Sequence, residues 1–227
     1  MACFRAPNGT CVPYDKCAVV VVGMWDSHAC LVAQEQLNTL APRVRVFLEF
    51  ANRVAMHVMW GTSSMPELLV PEMRAPIVTC PRAPLEDHGT CFPPYPLRDE
   101  DTWTVAPSLT FARSKVGLHP AVRGAIVAGN HMSVKLDKEI ANYVLTHEIG
   151  AVFYVGAHLN KCIVDRPYGL RNTLRWIPDR CFVIGDLVVA EHKDPVWGTE
   201  MMLDYIAKHF CPVVASARVE GSQQSSK

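Results

Sequence analysis

The sequence lacks net charge, long apolar runs and paired cysteine motifs. Its 22 basic and 22 acidic residues cancel, so the overall charge gives no reason to expect binding to nucleic acid or to an anionic membrane. No apolar run approaches the ~18 residues that a membrane helix needs. The first 17 residues contain one arginine and no apolar signal-peptide core. We therefore predict an intracellular, cytoplasmic protein without membrane contact, and a mitochondrial destination stays open.

The nine cysteines include no Cys-x-x-Cys pair. Their scattered spacing argues against a structural zinc site, and we predict neither a metal nor a cofactor. In an intracellular protein most of these thiols are expected to be reduced and buried.

What the sequence does have is an alternation of strand-like and helix-like segments. At 227 residues and 49% hydrophobic content, the chain can bury the core of one α/β domain. We predict strands at 18–23, 55–60, 124–127, 151–155, 181–184 and 213–215, and helices at 37–54, 136–147, 162–176 and 199–209. Because strands alternate with helices, the order indicates a parallel sheet covered on both faces.

Proline interrupts this alternation. Residues 62–123 contain ten prolines, a density that excludes long helices and central strands. We predict an N-terminal extension at 1–17, one domain at 18–216 that includes the irregular excursion 62–123, and a disordered polar tail at 217–227. The excursion could cover a site, bind a partner, or form an ordered surface loop.

Ligands of parallel sheets bind outside the carboxyl ends of the strands, where Cys162 is expected. Cys162 follows a predicted strand and opens a predicted helix, whose free amides would stabilise a thiolate and could form an oxyanion hole. His158, Lys161 and Arg166 add basic character nearby. The alternative is a buried, inert cysteine, since free cysteines are commonly buried.

Three segments carry a resemblance to a known family. The segment GAHLNKCI, residues 156–163, resembles the nucleophile turn of the isochorismatase-like cysteine hydrolases, and AVVVVGMWDSHAC, residues 18–30, resembles their first strand. The MWDSHAC portion, together with GAHLNKCIVDRPYGLR and HFCPVVAS, is similar to one subgroup of that superfamily. The resemblance covers most of 18–216. It implies a three-layer αβα sandwich with a parallel, roughly six-stranded Rossmann-like sheet, and an Asp–Lys–Cys triad that cleaves an amide C–N bond.

The resemblance assigns the three triad positions as follows. The nucleophile falls on Cys162, the aspartate on Gly23, and the lysine near Ala128 or Gly129. Two of the three positions therefore lack the expected side chain. Lys115 and Lys135 lie on either side of the expected lysine, out of register.

Other side chains could replace the missing base. Asp26 and His28 follow the first strand, and His131 follows the predicted middle strand. Each could equally be a hydrogen-bonded structural residue, since buried polar groups usually serve structure. The zinc motif of some nicotinamidases of the family has no counterpart in residues 59–65.

Two functions stay open. The first is a pseudoenzyme that serves as a structural or binding subunit of a larger assembly, in the cytoplasm or in an organelle, or of a homo-oligomer. A further non-catalytic alternative is a ligand sensor that binds a small molecule in the family's pocket without turnover. The second is an active cysteine hydrolase of a small amide, with Cys162 as nucleophile and a relocated base. The vacant Gly23 position favours the first, and the retained nucleophile turn favours the second.

Overall fold

The computed structural model describes residues 2–28, 30–61, 85–89, 92–97, 117–127 and 130–221. Its strands are β1 Cys3–Arg5, β2 Cys11–Pro13, β3 Cys17–Val22, β4 His57–Gly61, β5 His131–Val134, β6 Ala151–Ala157, β7 Cys181–Val189 and β8 Val213–Val214. Its α-helices are α1 Leu31–Arg53, α2 Pro120–Arg123, α3 Asp137–Thr146, α4 Leu170–Thr173, α5 Pro195–His209 and α6 Ser216–Val219. A short 3-10 turn occupies Tyr14–Lys16, and a π-helical segment occupies Leu159–Ile163.

A parallel sheet of six strands forms the centre of the molecule. Its order is β5-β4-β3-β6-β7-β8, and every neighbouring pair is parallel. All six residues of β3 are buried. Val19 and Val21 pack in the layer that contains α1, whereas Val20 and Val22 pack in the layer that contains α3 and α5. The predicted three-layer αβα sandwich is therefore confirmed, and its sheet has the predicted number of strands.

The N-terminal segment forms a hairpin that packs on this core. β1 pairs with β2, and a disulfide joins Cys3 to Cys11. Phe4 is fully buried, with its ring 4.9 Å from that of Phe153 and 5.2 Å from that of Phe182. The disulfide departs from the expectation of reduced thiols. Of the five free cysteines in the described part of the chain, four are buried.

The middle strand does not lie where the sequence pattern placed it. The apolar segment 124–127 was predicted as a strand, but the strand of the sheet is His131–Val134, which pairs with β4. The residues before 124 form the short helix α2, because Pro120 stands at its first position and the His119 ring accepts a hydrogen bond from the amide of Ala121 at 3.2 Å. Apolar content alone gave the wrong segment, since the pairing with β4 is not local.

Two predicted helices also differ from the observed ones. α1 begins at Leu31 rather than at residue 37, so Pro42 lies inside it and not in its first turn. The helix expected at 162–176 is interrupted: the helical segment that starts at Leu159 ends before Pro167, and a new helix, α4, begins after Gly169. Proline lacks the amide that a continuing helix needs, which explains the interruption.

The C-terminal end of the domain extends past its predicted boundary. Residues 217–219 belong to α6 rather than to a disordered tail, and Val219 is fully buried. The Tyr14 hydroxyl donates to the Val219 carbonyl at 2.7 Å. Residues 222–227 and most of the excursion 62–123 lie outside the described residues. Within the described part of the chain, no helix is both long and apolar enough to cross a membrane.

β7 is longer than predicted and contains a wide bulge. Tyr154 pairs with Val183 but Gly156 pairs with Val188, so 184–187 on β7 face a single residue of β6. β8 pairs only with Val183 and Ile184. Beyond Ile184, no described strand pairs with β7 on the side away from β6. A bulge of this kind bends a strand and redirects its side chains.

Candidate functional site

Two glycines let the central strands end in close contact. Gly23 has φ +64°, and a Cβ atom there would lie 1.9 Å from the Ala157 carbonyl oxygen. Gly156 has φ +114°, and a Cβ there would lie 1.9 Å from the Val22 oxygen. Both the backbone conformation and the space therefore require glycine. A carboxylate at position 23 would need the backbone to move, so the vacancy is part of how β3 and β6 pack.

Cys162 lies just after β6, as predicted, but not at the first residue of a helix. It is the fourth residue of the π-helical segment, in which the Ile163 amide donates to the His158 carbonyl at 3.1 Å. Only 6% of its surface is exposed. The prediction that Cys162 opens the helix is therefore wrong by about one turn, since the helical segment begins at Leu159. The thiol lies mostly inside the protein.

A cation lies beside this thiol. The Cys162 thiol lies near the Arg166 guanidinium, and its proximity raises the pKa of Arg166. Among the described residues, no carboxylate hydrogen-bonds to the Cys162 sulfur. The site therefore holds the nucleophile and a positive charge, while a base in contact with the sulfur is missing from the described part.

Tyr168 covers the neighbouring strand end. A Cβ on Gly61, the last residue of β4, would lie 2.3 Å from the Tyr168 ring. The ring is 3% exposed, and the Tyr168 carbonyl accepts a hydrogen bond from the Tyr154 hydroxyl at 2.9 Å. A bulky side chain therefore fills the space at the carboxyl end of β4, close to where a substrate of a parallel-sheet enzyme binds.

Asp26, one proposed substitute base, holds a loop instead. Its Oδ1 accepts from the Gly117 amide at 2.8 Å, and its own amide donates to the Gly117 carbonyl at 3.0 Å. Trp25 and Leu118 form the adjoining β-bridge. The carboxylate is exposed and committed to fixing residues 117–118 against the chain after β3.

His131, a second proposed substitute, lies at the wrong end of its strand. It is the first residue of β5, whereas the site lies at the carboxyl ends. Its Nδ1 accepts from Trp60 Nε1 at 3.0 Å, and its Nε2 lies 2.8 Å from Asn52 Oδ1. Burial lowers its pKa to about 4. His131 is therefore a neutral structural residue, and the prediction that it follows the middle strand is wrong.

The lysine that follows the middle strand is Lys135. It comes directly after Val134, its side chain is exposed, and its amide donates to Glu139 Oε2 at 2.6 Å. Positions 128 and 129, where the family pattern placed the lysine, lie outside the described residues, as does Lys115.

Glu191 is the site residue that sequence reasoning missed. It follows β7 by two residues, and its side chain is 7% exposed. Lys161 Nζ lies 2.8 Å from Glu191 Oε1, and His158 Nδ1 lies 3.8 Å from Oε2. Asn160 fixes the Glu191 backbone through two hydrogen bonds of 2.8 and 2.9 Å. The only signal in the sequence was its place after a strand, and the strand was predicted to end too early.

His28 completes this second cluster. Its ring meets that of His158 edge to face at 5.4 Å and stacks on Trp25 at 5.9 Å. Burial lowers the pKa of both histidines, that of His158 to about 3. At neutral pH the cluster therefore consists of two uncharged imidazoles beside the Lys161–Glu191 ion pair. Such groups can accept or donate hydrogen bonds to a ligand at the ends of β3, β6 and β7.

The described residues hold no group of three or more histidine, cysteine, aspartate or glutamate side chains placed to bind a metal ion.

The structure was compared with known proteins. No protein-family model matches the sequence, and no curated protein sequence matches it significantly. A cysteine hydrolase from Pseudomonas syringae pv. phaseolicola 1448A matches the structure with a TM-score of 0.56 at 12% identity, covering 98% of this chain and 99% of that one. An N-carbamoylsarcosine amidase from Thermoplasma acidophilum matches with a TM-score of 0.45 at 18% identity, covering 88% and 96%. The chain therefore has the fold of the Pseudomonas cysteine hydrolase, the fold that the sequence motifs predicted.

Proposed function

We propose that the protein is an isochorismatase-like pseudoenzyme that acts by binding, as a subunit of a larger protein assembly. The observation that carries the proposal is the backbone contact at Gly23. The position where the family keeps its base has a left-handed φ and a carbonyl oxygen 1.9 Å from any Cβ. A missing general base lowers the rate of such a reaction by about 10²–10⁴-fold.

The neighbouring side chains support the same conclusion. Asp26 is bonded to Gly117, and His131 is bonded to Trp60 and Asn52 at the far end of its strand. Tyr168 fills the space over Gly61. Asp26 and His131 are thus hydrogen-bonded to other partners, and a base displaced by several ångströms would not act, since catalysis tolerates errors of about 1 Å.

Ammonia release from nicotinamide and from N-carbamoyl amides tests the absence of catalysis. We expect no turnover by the full chain above that of a Cys162→Ala variant.

Tagged full-length protein purified from its own cells under native conditions should also contain a partner at fixed stoichiometry. Turnover that depends on Cys162, together with recovery as a free monomer, would refute the proposal.

One observation favours the second function, a cysteine hydrolase of small amides. The nucleophile position keeps a positive charge beside it, since Arg166 lies near the Cys162 thiol. In that case the candidate for a relocated base is the Glu191 carboxylate, which lies beside His158 and Lys161. The same ammonia assay decides: activity lost in both Cys162→Ala and Glu191→Gln, with the fold retained, would establish the hydrolase.

A further inference from the structure

A groove lies between α1 and α5, above the second half of β7. It encloses about 590 Å³, within the range of ~300–1,000 Å³ typical of binding clefts. We name it the α1–α5 groove. Its apolar lining consists of Val32 and Leu40 on α1, Val188 and Val189 on β7, and Val196 and Leu203 on α5. Val196 is 69% exposed and Val32 is 42% exposed, so valines on both walls face solvent.

The floor of the groove is the edge of β7 beyond Ile184, which pairs with no strand in the described part of the chain. β8 leaves β7 after Ile184, and in the described chain no other strand replaces it. Gly185, Asp186, Val188 and Val189 all line the groove. The Asp186 carboxylate is occupied by Ser216, whose amide donates to Oδ1 at 2.7 Å. The backbone groups of 187–189 on this side therefore suit the addition of another extended chain.

Gln36 adds a polar group of matching chemistry. Both atoms of its carboxamide are buried and have no hydrogen-bond partner among the described residues. Buried polar groups of proteins are almost always paired. A carboxamide offers one acceptor and an N–H donor, which is the complement of a peptide group. Both atoms are covered in the unbound structure, so the Gln36 side chain has to rotate towards the groove before an extended backbone there can pair with it.

The rim of the groove is acidic. Glu35 on α1 and Glu200 on α5 line it and are exposed, and neither forms an ion pair with any residue in the described part of the chain. The basic residue of the lining, Arg43, lies 4.0 Å from Asp186. A lysine or arginine on the bound segment would therefore meet two carboxylates that have no ion-pair partner among the described residues.

From these four features we propose that the α1–α5 groove binds an extended segment of a partner protein. The segment adds to the free edge of β7, inserts alternate aliphatic side chains between Val32 and Val196, and places a basic residue at Glu35 or Glu200. The proposal rests on the proposed binding function and names the surface that performs it. A second copy of this chain fits poorly, because the strand edge is recessed between two helices on each copy.

A random linear peptide library displayed on phage and selected against the full chain tests the proposal. We expect selected peptides with alternating aliphatic residues and a lysine or arginine. The affinity for a selected peptide, synthesised with a fluorophore, is then measured by fluorescence anisotropy. Val196→Asp should lower this affinity at least tenfold, and Glu200→Lys should lower it about threefold or more. The matched control is Val46→Asp, since Val46 is 61% exposed on α1 outside the groove lining. This variant should bind the peptide with an affinity within twofold of the wild-type value. Amides of 187–189 should exchange more slowly with the peptide bound.

Three outcomes overturn the proposal: no peptide is selected, the selected peptide binds Val196→Asp as well as the wild type, or sedimentation shows a homodimer that Val196→Asp dissociates. The last would mean that a second copy occupies the groove. Amide turnover that depends on Cys162, with peptide binding intact, would refute the proposed pseudoenzyme and leave the groove assignment standing.

Discussion

Replacing Gly23 by alanine tests the backbone contact on which the pseudoenzyme proposal depends. At φ +64° a residue with a side chain loses about 1–2 kcal/mol. The added Cβ would also lie 1.9 Å from the Ala157 oxygen, where real Cβ contacts are not shorter than 3.0 Å. Displacing packed backbone to relieve such overlap costs about 1–3 kcal/mol. We therefore expect Gly23→Ala to lower the free energy of unfolding by about 2–5 kcal/mol.

Gly9 is a matched control for this variant. It has φ +87°, and a Cβ there would meet nothing within 4 Å. Gly9→Ala should therefore show only the conformational loss of about 1–2 kcal/mol. Urea unfolding followed by tryptophan fluorescence gives both values from the transition midpoints. Equal destabilisation of the two variants would refute the contact at Ala157, and would reopen position 23 to an aspartate.

Two further predictions concern the thiols and the buried histidine. Brief iodoacetamide treatment should label Cys162 faster than Cys17, because burial raises the pKa of Cys17 to about 12 whereas Arg166 lies beside Cys162. Arg166→Met should slow the labelling of Cys162. Mass spectrometry measures both rates, and labelling of Cys17 as fast as that of Cys162 would contradict the prediction. The neutral form of His131 is favoured in the folded state, since burial lowers its pKa from 6.5 to about 4. Unfolding free energy should therefore fall as pH drops from about 6.5 to 4, and in His131→Leu the slope against pH should decrease by up to about one proton; an unchanged slope would contradict the assignment.

The sequence predicted the layers of the fold because their signals are local. Four consecutive valines at 19–22 indicate a strand buried on both faces, and the order of elements requires a parallel sheet. The middle strand was predicted at the wrong place, since His131–Val134 is less apolar than the segment 124–127 and forms a strand through its pairing with β4. Local hydrophobicity carries no information about such pairing.

The site was predictable only in part for the same reason. Cys162 was placed after its strand from the glycine and helix pattern around it. The space that excludes a side chain at Gly23 is closed by Ala157, 134 residues away by number. Glu191 lies beside Lys161 because β7 resumes its pairing with β6 after the bulge and continues to Val189. Both facts belong to contacts between distant segments, which spacing along the chain does not encode.

The position of the N-terminal hairpin has a consequence for how the chain folds during synthesis. Phe4 packs on Phe153 and Phe182, and β3 has β6 as its neighbour on one side. β3 therefore cannot pair with β6 until more than 130 further residues have been synthesised. Contacts of such long range slow folding and leave apolar strands exposed meanwhile. We expect the nascent chain to need protection by chaperones until β7 has left the ribosome.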